Sequence, residues 1–154
     1  MVEDGGTEKE GEQTRRPAPR RRGATWFARA AVALVFAVNV QCALSFVLWP
    51  GAYAGGFELS GVAGDAAVRG MGVAFLMWNA TYPLVIVRPQ RHRALFGVVL
   101  AQQAIGLAGE GFIRATLPAG HAALAASIDR FIAFDAFGLI LMLAAFIWLA
   151  WPRK

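Results

Sequence analysis

Cysteine is nearly absent from this 154-residue chain. Cys42 stands alone, so no disulfide can close within one copy and no thiol pair can carry redox chemistry. Histidine is almost as scarce. His92 and His121 both fall outside the long apolar runs, which excludes a haem held by two intramembrane histidines. No His/Cys/Asp grouping has zinc-like spacing either. Ser45 and Ser127 have no evident histidine activator, and no glycine-rich phosphate loop leads into a helix. The expectation is therefore a protein that is not an enzyme and carries no metal or cofactor. Charge is the other shortage: Asp, Glu, Lys and Arg make up 16% of the residues, against about 25% in soluble domains.

What fills the chain instead is apolar residue, at 57%. The charges are confined to short islands between long hydrophobic runs, which is the pattern a bilayer imposes. The length suits one domain. The net charge of +5 does not point to nucleic acid, because most of the basic residues flank apolar segments, where they set membrane orientation. Cys42 lies inside the first apolar run and reads as a small packing residue.

Residues 1–25 form an acidic block followed by an arginine-rich block with Pro17 and Pro19. Such a segment has nothing to bury and is expected to be a disordered, charged tail whose arginines meet anionic lipid headgroups. Residues 26–154 are expected to form the membrane domain. Its first run, 27–49, is too long for a signal peptide, whose apolar core is about 7–15 residues. Trp26 and Trp49 bracket it at the two interfaces. A glycine-rich connection over 50–65 leads to a second span at 66–87. The turn at 88–93 precedes a third span at 94–113, and a loop with Pro118 and His121 precedes a fourth at 131–151. Each is close to the ~20 residues that an α-helix needs to cross ~30 Å of hydrocarbon. Lone strands would leave backbone groups unpaired in lipid, so the fold class is an all-α membrane protein.

Orientation follows from the fifteen Lys and Arg residues: only Arg69, Arg114 and Arg130 lie outside the tail through Arg29, the 88–93 turn and the C-terminus. Basic residues stay on the cytoplasmic side. The spans should thus form an antiparallel bundle of four transmembrane helices with both termini in the cytoplasm. Basic charge that is almost all arginine, beside abundant alanine and glycine, suits a GC-rich bacterial genome and hence a bacterial inner membrane.

Polar residues inside the spans mark where a site would be, because they are costly in hydrocarbon. Gln103, Glu110 and Arg114 share one face of the third helix, and Arg69 and Asn79 share one of the second. With Arg130 and Asp135 they define a candidate polar cluster in the outer half of the membrane, walled on its inner side by Asn79, Gln102 and Gln103. On a structural reading, Glu110 pairs with Arg114, and Asp135 with Arg130 or Arg69. On a functional one, the same groups bind a polar solute, a proton or a quinone headgroup. Small residues four apart, such as Gly97 with Ala101 and Gly70 with Ala74, suit close helix crossing within the bundle or across a dimer.

Trp49–Pro50 closing the first helix, the glycine-rich outer loop, and Arg69–Gly70–Met71–Gly72 early in the second give an order of parts over residues 45–115. That order resembles the broad group of small four-helix bacterial membrane proteins that includes the DoxX-like families. Some of that group are similar to subunits of quinone-linked oxidoreductase complexes, so the resemblance implies an accessory role. The expected function is an accessory or interaction component whose partners are the lipid bilayer and a partner membrane protein or a second copy. The alternatives are a small proton- or solute-coupled transporter acting as a dimer, and a quinone-interacting subunit with the ring near Phe75 or Trp78.

Overall fold

The computed structural model describes residues 19–151, with side chains from residue 22 onward. Every regular element among them is helical. They are α1 (Pro19–Leu48), α2 (Gly51–Ala54), a 3-10 turn (Gly55–Phe57), α3 (Gly61–Asn79), α4 (Tyr82–Val87), α5 (Arg93–Thr116) and α6 (Ala122–Ala150). Four segments are long and apolar enough to cross a membrane: Arg22–Leu48, Gly61–Val87, Arg93–Thr116 and Ala122–Ala150. Their outer faces carry exposed Leu34, Met77, Ile105, Phe137 and Ile140. Water would penalise so much uncovered apolar surface, whereas lipid tails solvate it. Trp49 and Trp151 stand exposed just past the ends of α1 and α6, and Trp26 is exposed two turns into α1; an indole at such a position bridges lipid and water.

The helices outrun the expected spans. α1 begins at Pro19, inside the stretch expected to be tail; residues 1–18 lie outside the described residues. Proline fits a first helical turn because its missing N–H has no intrahelical partner there. α6 begins at Ala122, so the segment expected to be a loop as far as Asp129 and Arg130 is helical. Its alanines favour helix, and its charges reach water at the membrane surface.

The second span is broken. Pro83 has no N–H to offer the carbonyl one turn back, and its ring crowds that turn. α3 accordingly stops at Asn79, and α4 starts at Tyr82 after a turn closed by Ala80 N–H to the Met77 carbonyl at 3.3 Å.

One end of the molecule is tied by contacts between distant segments. Arg29 donates to the Val87 carbonyl at 2.7 Å, Gln90 to Thr25 Oγ1 at 2.7 Å, and Arg93 to the Leu149 carbonyl at 3.3 Å. Above them lies a dry core that includes Val32, Val35, Val85, Phe96, Val99 and Met142. At the other end, Ser127 donates to the Gly56 carbonyl at 2.6 Å, and His121 bonds Glu58. Between the ends, α1 and α3 approach closely at Gly72. A Cβ there would stand 2.7 Å from the Ala43 carbonyl oxygen and 2.8 Å from Val47 Cγ2. Only glycine lets the two backbones meet at this distance.

Candidate functional site

The long helices do not close evenly. α1 packs along α3 and α6, and α5 along α6, whereas α3 has no more than marginal contact with α5 or α6. α4 reaches α5, so the two sides of the molecule meet below the helix break and part above it. The space left is a cavity of about 510 Å³. α1, α3, α5 and α6 wall it, and residues of α2 and the 3-10 turn border it.

One part of the wall is aromatic. Phe46 lies against Tyr53, Phe57, Phe75 and Phe131, with ring centroids 5.0, 5.7, 6.1 and 6.3 Å away. These rings come from five separate segments, and the 3-10 turn is what carries Phe57 across to Phe131 on α6.

The other part is polar and sits at the depth of the helix break. Gln103, 5% exposed, donates through Nε2 to Asp135 Oδ1 at 2.7 Å. Its Oε1 accepts from the Tyr82 hydroxyl at 3.4 Å, and the Asn39 amide faces the same hydroxyl. Asp135 fits because position 106 is glycine: a Cβ there would lie 2.8 Å from Asp135 Oδ2. Asn79, also 5% exposed, turns its Nδ2 back to the Phe75 carbonyl at 2.8 Å. That bond fixes which way the amide faces, since a carbonyl can only accept. Its Oδ1 is left over. Asn79 Oδ1, Gln102 Oε1 and Glu110 Oε2 are all buried without a hydrogen-bond partner among the described residues, and all three residues line the cavity.

Of the residues expected to cluster, Asn79, Gln103, Glu110, Arg130 and Asp135 border this one cavity. Arg69 and Arg114 do not. Arg69 is exposed on α3. Arg114 bonds Asp129 of α6 at 2.8 Å, not Glu110 one turn back on its own helix, because α6 begins early enough to bring Asp129 opposite. Asp135 takes an amide partner, Gln103, in place of an arginine. Arg130 donates to Ser127 Oγ at 2.9 Å.

Several contributors escaped the sequence. Tyr82 enters because the proline break redirects the chain just before Pro83, a signal visible in the dipeptide. Asn39 was legible as a polar residue in an apolar run but gave no sign of which face it occupied. Glu58 and His121 were legible only as a lone acid and a lone histidine in two separate connections. Glu58 takes the left-handed conformation, φ 57°, as it ends the 3-10 turn. It meets His121 and also accepts from the Leu124 N–H at 3.3 Å, so it joins two connections that the sequence separates widely. The His121 hydrogen bond holds the Glu58 carboxyl below its ordinary range.

No family model, no curated protein and no solved structure matches this chain.

Proposed function

We propose that this chain is a multi-pass protein of a bacterial inner membrane that binds a small, partly apolar molecule in the cavity between its long helices. Binding, as an accessory component to whatever process uses that molecule, fits the residues better than a purely structural cluster. One observation carries this reading: buried acceptor oxygens of Asn79, Gln102 and Glu110 have no partner, and the three residues line one shared cavity. In hydrocarbon an unsatisfied polar group is costly, and a cluster built only to join helices would pair its members with each other. The volume of about 510 Å³ suits a drug-sized ligand, for which pockets run about 300–1,000 Å³.

The orientation belongs to the same proposal. The basic tail, the 88–93 turn and the C-terminus face the cytoplasm in an antiparallel bundle, so the cavity occupies the outer half. A reporter fused after Lys154 should be active only in the cytoplasm. In a Cys42→Ala background, a cysteine placed at Ala119 should react with an impermeant maleimide on intact cells, and its protection would reverse the orientation.

Native mass spectrometry of the protein released from its own membranes tests the binding. The expected result is a small molecule of defined mass held by the monomer or dimer. An empty chain bound stoichiometrically to a second protein would replace the binding reading with an interaction role.

A further inference from the structure

The chemistry of the wall restricts what the cavity accepts. The fully buried groups on its wall that lack a partner are acceptors: Asn79 Oδ1, Gln102 Oε1 and Glu110 Oε2. Three of the donors nearby are committed, since Asn79 Nδ2 serves the Phe75 carbonyl, Gln103 Nε2 serves Asp135, and the Tyr82 hydroxyl serves Gln103. A ligand offering only carbonyl oxygens, such as an oxidised quinone, would leave these acceptors unpaired and add more of its own.

Charge narrows the choice further. Glu110 and Asp135 both line the cavity, and neither lies within ion-pair reach of a basic side chain among the described residues. The single arginine on the wall, Arg130, is directed to Ser127. A carboxylate away from water needs a counter-charge or must take up a proton, and the protein supplies no counter-charge beside these two. Much of the remaining wall is aromatic, with Phe46, Phe57, Phe75, Phe131 and Trp78 offering ring faces that attract cations and cover an apolar body.

We infer that the cavity is a site for an organic cation, a protonated amine or guanidinium on an apolar body. The inference rests on the binding role proposed above. The N–H groups of the head meet Glu110, Asp135 and the Asn79 oxygen, and the body lies along the phenylalanines. The gap between α3 and α5 offers such a molecule a way in from the lipid.

Three probes with one body and different heads test this: 4-phenylbutylamine, 4-phenylbutanol and 4-phenylbutyrate. Each is titrated by calorimetry into the full chain in a neutral maltoside detergent. The amine should bind ~10-fold or more tightly than the alcohol, the range expected when a hydrogen bond becomes charge-assisted, and the butyrate least. Glu110→Gln should remove most of that preference. This variant breaks no contact, because Glu110 Oε2 has no partner to lose. Asp135→Asn, which keeps an acceptor for Gln103, should act in the same direction. Equal binding of amine and alcohol would overturn the cation and leave the binding role standing. No binding by any probe would remove both. Repeating the amine titration with added phosphatidylethanolamine separates two sources of the same chemistry. Competition would identify a lipid headgroup as the natural cation, and indifference would identify a free amine.

Discussion

The two halves of this molecule are built from the same four helices and differ in nearly everything else. Near the 88–93 turn, Phe96, Val99, Met142 and Ala145 are fully buried against Val32 and Val35. Toward the Glu58–His121 contact, Phe46 and Phe131 border empty space beside Asn79, Glu110 and Asp135. The change occurs at the depth where Pro83 breaks the second span and Gln103 joins Tyr82 to Asp135. In lipid no hydrophobic force drives helices together, so stability comes from packing, and packing is what the hollow half has given up.

That contrast can be broken most directly by one chemical change made in both halves. Phe→Ala costs about 3–5 kcal/mol in water-soluble cores, and without transfer from water about 2–3 kcal/mol is expected for Phe96→Ala. Phe131→Ala should cost less than half as much, because its ring already borders a void. Equal losses in reversible detergent unfolding would mean that the halves are packed alike. Next comes Gly72→Ala, expected to cost about 1–2 kcal/mol through overpacking, since the Val47 side chain can yield but the Ala43 carbonyl cannot. Gly106→Ala should cost less, because the atom it meets is the end of the Asp135 side chain, and should instead weaken binding of the amine probe. Tyr82→Phe leaves Gln103 Oε1 without its hydroxyl partner and should cost about 1 kcal/mol, read as a shift in unfolding midpoint.

The smallest effect concerns pH at the hollow end. Glu58 is held below its ordinary value, so its contact with His121 stabilises the fold above the carboxylate range. The contribution is lost as pH falls through the depressed folded-state value. Melting temperatures of the native chain and of Glu58→Gln should therefore differ at neutral pH and converge in acid. A constant difference across that range would show that the contact does not depend on Glu58 ionisation.

The four apolar runs were legible because hydrophobic length is a local property. Helix ends were not, since α1 and α6 continue past the hydrocarbon into the interface, where charged residues are as welcome as apolar ones. That error had a consequence at the site. Reading 114–130 as mostly loop left Arg114 with only Glu110 for company, while the early start of α6 sets Asp129 opposite it. Helix periodicity placed Gln103 and Glu110 on one face, and both border the cavity. Periodicity gives no distances between helices, so it showed neither the void nor the phenylalanines that line it. The exclusion of Arg69 is of the same kind: sharing a face with Asn79 does not bring it to the same depth.

The close crossing at Gly72 joins helices that are neighbours in sequence, and so does the contact of α5 with α6. The chain can therefore be regarded as two hairpins, each with its own local seam, that meet through α1 and α6. The cavity belongs to neither hairpin. Residues 1–90 and 91–154 produced together should recover amine binding, and neither fragment should show it alone. The cavity is therefore complete only once the second hairpin has docked on the first.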